Sequence, residues 1–185
     1  MAAAAPLRPL RPFTPQPELA AFSLEAAAQL AGPNLQVQMR LQGPLEQLQL
    51  PEPTTAVERR DGLWQSTCFE AFVGQAAQPH YWEINLCPSG HWAVYALSGY
   101  RAGLQAEGRV QGLPFERRQR LLHSGLSELE LAFSLALPLP AEPGPLEISA
   151  TAVLEHRQLG CSYWAWRHCG SEADFHRRDS FLPLT

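Results

Sequence analysis

Trp64, Ser66, Cys68, Glu70 and Phe72 occupy alternate places in the run 64–73, and Tyr81, Glu83, Asn85 and Cys87 do the same in 81–87. Successive residues of a strand point to opposite sides of a sheet, so each set shares a face. Phe69, Ala71 and Val73, with Trp82, Ile84 and Leu86, take the other face and read as core. If these strands are neighbours, one face gathers aromatic rings, two carboxyls and an amide. That mixture suits a neutral polar ligand such as a sugar, because flat rings cover its C–H face while carboxylate, amide and guanidinium groups pair with its hydroxyls. Trp164, Trp166 and His168 alternate over 162–168 in the same way and extend the aromatic surface.

Plainer roles stand beside these. A tryptophan in a sheet also serves as core or rim, Glu70 and Glu83 can be ordinary cross-strand residues, and Asn85 can bond to the turn at 88–90. Exposed rings also dock protein partners, so an interaction domain is a further reading. Paired acids raise glycoside hydrolysis, which needs two carboxyls at a defined separation across a cleft. The chain has only Asp61, Asp174 and Asp179 besides scattered glutamates, and spacing alone does not bring Glu70 and Glu83 to that separation. Ser89 sits in Pro-Ser-Gly rather than GxSxG, and Cys68 has no identifiable histidine partner. A non-catalytic site is the better reading.

Composition narrows the chemistry further. All 14 basic residues among the 185 are arginine. Without lysine there is no Walker phosphate loop, kinase strand lysine or pyridoxal imine. A net charge of −4 gives no footprint for nucleic acid. Haem wants a histidine with a partner ligand, but Met39, the one methionine after Met1, alternates with core residues. Haem is therefore disfavoured and no cofactor is expected. His156, Cys161, His168 and Cys169 cluster at a spacing that fits no zinc pattern, so no metal is expected. Residues 1–17 carry Arg8 and Arg11 with prolines at 6, 9, 12, 15 and 17, which interrupt the apolar core of a signal peptide. They read as an extended Pro-rich leader. With four cysteines and no CxxC pair, the expectation is a reduced, cytoplasmic protein. No run approaches about 18 apolar residues, so no membrane span is expected.

The elements that must hold these residues are mostly strands. Leu35, Val37, Met39 and Leu41 alternate with polar residues, as do Leu129 to Leu137 and Leu146 to Leu154 in steps of two. Runs at 64–73, 81–87, 92–97, 162–168 and a short one at 45–50 add to them, with turn residues at Gly43-Pro44, Asp61-Gly62, 88–90, Gly99 and 138–145. The pattern predicts an all-β chain: a single antiparallel β-sandwich over 18–185, immunoglobulin-like or jelly-roll, of about eight to ten strands. Segment 18–30 fits either a short amphipathic helix stopped at Gly32 or an edge strand around 21–26. Segment 113–126, with Arg117, Arg118 and Arg120, stays open between a helical turn and a loop.

Leu63-Trp-Gln-Ser-Thr-Cys-Phe-Glu-Ala-Phe72, Tyr81-Trp-Glu-Ile-Asn-Leu-Cys-Pro-Ser-Gly-His-Trp92, Gly99-Tyr-Arg-Ala-Gly103 and Asp174-Phe-His176 together resemble the bacterial DOMON-like domain proteins, a group similar to the family-nine carbohydrate-binding modules. The resemblance spans residues 19 to 183. It implies an antiparallel sandwich, generally non-catalytic, that binds sugars or, in some branches, haem. It also implies that Trp64 is the stacking tryptophan and Glu70 the hydrogen-bonding acid, with Trp164 or Trp166 as second aromatic and Arg101 and Asn85 as polar partners. The first strand would fall around 21–25.

Overall fold

Leu35, Val37, Met39 and Leu41 are all buried while Gln36, Gln38 and Arg40 stay at the surface, as a half-buried strand requires. This strand belongs to one of two antiparallel sheets in a computed structural model that describes residues 5–139 and 144–184. In chain order the strands are β1 (Arg8–Pro9), β2 (Arg11–Pro12), β3 (Ser23–Ala31), β4 (Asn34–Gly43), β5 (Cys68–Gln75), β6 (Tyr81–Leu86), β7 (Trp92–Leu97), β8 (Gln105–Ala106), β9 (Phe115–Leu121), β10 (Ser127–Ala136), β11 (Leu146–His156), β12 (Gly160–Ala165) and β13 (Leu182–Pro183). The first sheet runs β1-β3-β4-β10-β9 and the second β2-β12-β11-β5-β6-β7-β8, with β13 on β11. The chain is a β-sandwich, as its alternation predicts.

The two sheets bury different amounts of themselves. Inward residues of both, among them Leu35, Met39, Leu131, Phe69, Ile84 and Leu154, make the main core. The outer face of the first sheet is open, and β4 and β10 alternate accordingly. The second sheet is covered on its outer face too, so β5 and β6 are buried at every position. The cover is the tail after β12, whose Phe181 and Phe175 pack on Phe72, Tyr81, Ala93, Tyr95 and Leu97 in a second apolar cluster. Arg178 pins that tail: its guanidinium donates to the carbonyls of Gln75 (2.8 Å), Gln78 (2.8 Å) and His80 (3.3 Å) and pairs with Glu147 (3.1 Å). Gly74 lies beneath it, and a Cβ there would stand 2.9 Å from the guanidinium and 3.0 Å from the Tyr81 Cβ. A glycine is what lets the tail approach this closely.

Several expected elements change form. Segment 18–30 divides into a 3-10 turn, Pro17–Ala21, and β3, so the strand alternative holds from residue 23 on. Segment 45–50 is a 3-10 turn, Leu45–Gln47, with a single bridge from Leu48 to His156 in place of a strand. The arginine-rich segment 113–126 contains β9, an edge strand neither a helical turn nor a loop. Register explains it: Arg118 and Arg120 stand opposite Glu130 and Glu128 of β10, and opposite charges across a ladder support pairing while edge charges deter further association. The run 162–168 is strand only to Ala165.

Residues 8–12 of the leader are extended and take part in both sheets, while residues 1–4 lie outside the described residues. Arg8 and Pro9 pair with Ala26 and Glu25, and Arg11 and Pro12 pair with Ala165 and Trp164. Between them Leu10 points into the core at 2% exposure, its N–H bonded to the Leu24 carbonyl. Leu10→Ala should therefore lower unfolding free energy by about 2 to 4 kcal/mol, the range for a truncated core leucine. Urea denaturation measures it, and a loss below about 0.5 kcal/mol would show the leader to be detachable.

Candidate functional site

Antiparallel strands alternate close and wide pairs, and the N–H of Cys87 donates to the carbonyl of His91 on the β7 side. Cys87 therefore turns its backbone away from β5, and so do Asn85, Glu83 and Tyr81. The pairs Glu70 with Asn85 and Phe72 with Glu83 are non-hydrogen-bonded, the kind in which Cα atoms approach to about 4.5 Å and side chains crowd together. Glu70, Phe72, Glu83 and Asn85 are thus packed side by side on the outer face of the second sheet. The alternation of the two strands predicted this grouping.

Around that floor lies a pocket of about 340 Å3. Trp64, Tyr163, Phe175 and Leu104 line it with apolar surface, and Arg101 and His176 add polar groups. Trp64 does not come from a strand, as its spacing suggested. It sits in a 3-10 turn, Leu63–Gln65, entered through Gly62 in the left-handed region at φ 74°. The turn leaves the indole 37% exposed, edge-on to the Tyr95 ring at 5.9 Å.

Arg101 reaches the pocket from the turn after β7, with φ 51°. Its guanidinium pairs with Asp174 Oδ1 at 2.9 Å, and the Tyr100 hydroxyl donates to Asp174 Oδ2 at 2.5 Å. Burial alone would raise the Asp174 pKa; the Tyr100 hydroxyl, the His176 N–H and Arg101 outweigh it and hold the carboxyl low. The Arg101 N–H donates to the Tyr81 hydroxyl at 3.3 Å, which leaves that hydroxyl to donate to His176 Nδ1 at 2.7 Å. We assign the His176 proton to Nε2 on that basis. Burial, then the Arg101 charge, pushes the His176 pKa down to about 4, so the ring is neutral at pH 7. Its Nε2 faces Glu83 Oε2 at 3.9 Å, too far for a direct bond.

The floor is short of donors. Glu83 Oε1 accepts from Asn85 Nδ2 at 2.8 Å, and Glu70 Oε2 has a long contact, 3.5 Å, with the Thr151 hydroxyl. Glu70 Oε1, Glu83 Oε2 and Asn85 Oδ1 are buried with no partner. Burial raises both glutamate pKa values, Glu70 strongly and with a further push from Glu83. Buried acceptors left unpaired cost stability, so the two in the pocket lining, Glu70 Oε1 and Glu83 Oε2, mark a place for a donor.

Trp64, Glu70, Glu83 and Arg101 line the pocket, and Asn85, fully buried, props Glu83 from below. Trp164 and Trp166 do not belong to it. Trp164 is 3% exposed in the main core, its Nε1 bonded to Ser162, and Trp166 packs against that core with Nε1 on the Arg8 carbonyl. Register decides this. Across the β11–β12 hairpin Trp164 stands opposite core-facing Ala152, while Tyr163 stands opposite Val153, which lines the pocket. The second aromatic is Tyr163, edge-on to Phe175 at 6.1 Å. Tyr163, Phe175 and His176 were missed as site residues. Counting back from the turn at Gly160 to the alternation of 146–154 would have turned Tyr163 outward.

The raised Glu70 pKa has a stability consequence. A carboxyl whose pKa is higher in the folded state supports folding most below its unfolded pKa, and that support is lost as pH rises through the folded value. Glu70→Gln should therefore stabilise the protein at pH 7, because it removes the buried charge and its repulsion with Glu83 while keeping the side chain's shape. The gain should fade as pH drops towards about 4, where the wild-type carboxyl is itself neutral. His176, with its lowered pKa, works in the opposite direction but is common to both proteins. Denaturation of the pair across this pH range measures the difference; a variant less stable at pH 7 would contradict it.

No family model matches the chain, and no curated protein does. Among solved structures it is similar to a candidate carbohydrate-binding protein from Bacteroides uniformis ATCC 8492, with TM-score 0.70 and 13% identity over 97% of this chain and 85% of that one. It is also similar to a family 9 carbohydrate-binding module from Caldicellulosiruptor kristjanssonii in complex with glucose, with TM-score 0.50 and 11% identity over 97% and 83% of the two chains. At these identities the likeness shows a shared fold: the chain has the sandwich of the family 9 carbohydrate-binding modules.

Proposed function

We propose that this protein is a non-catalytic module that binds a carbohydrate in the pocket between Trp64 and Tyr163, as the DOMON-like and family-nine resemblance implies. One observation carries the reading: Glu70 Oε1 and Glu83 Oε2 are buried acceptors without donors in the lining of a pocket rimmed by a half-exposed indole. Sugar hydroxyls are donors, and the C–H face of a sugar ring is what an exposed indole covers. One hydroxyl placed between His176 Nε2 and Glu83 Oε2 would accept from the ring N–H and donate to the carboxyl. At about 340 Å3 the pocket is at the small end of ligand sites, a size for a short saccharide.

Geometry favours binding over hydrolysis. Glu70 and Glu83 stand on adjacent strands of the same floor, whereas glycosidase carboxyls flank the scissile bond from two sides. Met39 is packed between the sheets at 1% exposure, away from the pocket, which weighs against haem. The exposed apolar residues Trp64, Leu104 and Tyr163 ring a concavity, which suits a small molecule better than a protein surface.

Titration with neutral and amino mono- and disaccharides, followed by tryptophan fluorescence, tests the proposal. At least one sugar should shift the emission, and Trp64→Ala should weaken its binding at least tenfold with the far-ultraviolet spectrum unchanged. A panel without any response would overturn the reading.

A further inference from the structure

The charges around the pocket do not cancel. Arg101 is committed to Asp174, and His176 is neutral at pH 7. Glu70 and Glu83 remain, 2% and 4% exposed, without a cation on either. Both unpartnered buried atoms in the pocket lining are acceptors, Glu70 Oε1 and Glu83 Oε2. Beneath them Asn85, fully buried, has its amide nitrogen already used on Glu83 and offers the pocket no donor. A hydroxyl brings one donor together with lone pairs that meet this oxygen-rich floor unfavourably. An ammonium brings three donors, no lone pair and the missing positive charge. The walls are aromatic, Trp64, Tyr163, Phe175 and Phe72, and ring faces attract a desolvated cation.

We infer that the ligand is an amino sugar, a 2-amino-2-deoxy hexose or a short oligomer of one, whose ammonium lies over Glu70 and Glu83 while its ring stacks on Trp64. This rests on the carbohydrate reading above and narrows it. The acyl form of the same sugar lacks both the charge and two of the three donors, so the site separates free from N-acylated amines. The titratable and charged groups facing the two carboxyls are Cys68 on β5, Tyr81 on β6, Tyr95 on β7, Arg101 after it, Tyr163 on β12, and Asp174 and His176 in the tail. Burial raises the thiol of Cys68 and the hydroxyls of Tyr81 and Tyr95, which keeps all three neutral near pH 7. Only the glutamates are left to attract the amine.

D-glucosamine, D-glucose and N-acetyl-D-glucosamine, titrated by calorimetry and Trp64 fluorescence at pH 7, provide the test. Glucosamine should bind at least tenfold tighter than the other two. That ratio should fall at least fivefold in Glu83→Gln, and should approach one as pH is lowered to about 4, where the carboxyls protonate while the amine stays charged. Equal or tighter binding of glucose would overturn the amino-sugar inference and leave the carbohydrate reading intact. Silence from all three, and from the wider panel, would overturn both. A ratio unchanged in Glu83→Gln and at low pH would show that the preference does not come from the carboxyls, which also defeats the inference.

Discussion

The pocket exists because the Arg178 guanidinium holds the tail against the outer face of the second sheet. Its bonds to the carbonyls of Gln75, Gln78 and His80 join the end of the chain to the β5–β6 turn. Its stack on Phe181, 4.8 Å from the ring centroid, fixes the ring that seals the second cluster. Remove that joint and Ala173, Phe175 and His176 lose the surface that sets their position. Arginine suits the place, because a planar fork can serve several carbonyls and a carboxylate at once, which the point charge of a lysine cannot do as well. A second clasp, Asp174 with Arg101 and Tyr100, ties the same tail to the turn after β7.

Covering a sheet on both faces ordinarily demands apolar residues on both, and β5 and β6 comply except at the site. There the sandwich buries two carboxyls and an amide that it does not satisfy. Their neighbours explain why the arrangement survives. Glu83 retains one bond from Asn85, and Glu70 a weak one from Thr151. Binding and stability are therefore opposed at this floor: each acceptor kept free for a ligand is a bond the fold forgoes.

The sequence makes the sandwich legible through period-two alternation, and the floor of the site through the same rule. Glu70, Glu83 and Asn85 could be placed together because two adjacent strands each assigned their own core face without ambiguity. Trp164 and Trp166 defeat that rule, because 162–168 carries large residues on both phases and offers no apolar set to name the core side. The pairing partner, Ala152, supplies the answer, and pairing is a non-local fact. The tail is harder still. Phe175 and His176 lie in irregular structure with no period at all, and their position follows from Arg178 reaching carbonyls nearly a hundred residues earlier in the chain. The leader was legible as extended through its prolines, but not the insertion of Leu10 between the sheets. A two-residue strand on each side of one leucine has too little pattern to read.

The first sheet shows that acidic residues on an outer face are not in themselves a site. Glu128 is as buried as Glu83, at 3% exposure, yet its oxygens accept from Arg120 and Gln42 at 2.6 Å each, with Arg40 close by. Arg120 above all holds its pKa down, where burial drives those of Glu70 and Glu83 up. Glu130 likewise is met by Gln38 and Arg40. The same residue type is thus treated in opposite ways on the two outer faces of one sandwich. One face supplies Glu128 and Glu130 with arginines from the neighbouring strands; the other surrounds Glu70 and Glu83 with rings, diverts the nearby arginine to Asp174, and leaves one oxygen of each open. Composition cannot distinguish the two faces, but the count of donors against buried acceptors does, and it sets the outer face of the second sheet apart.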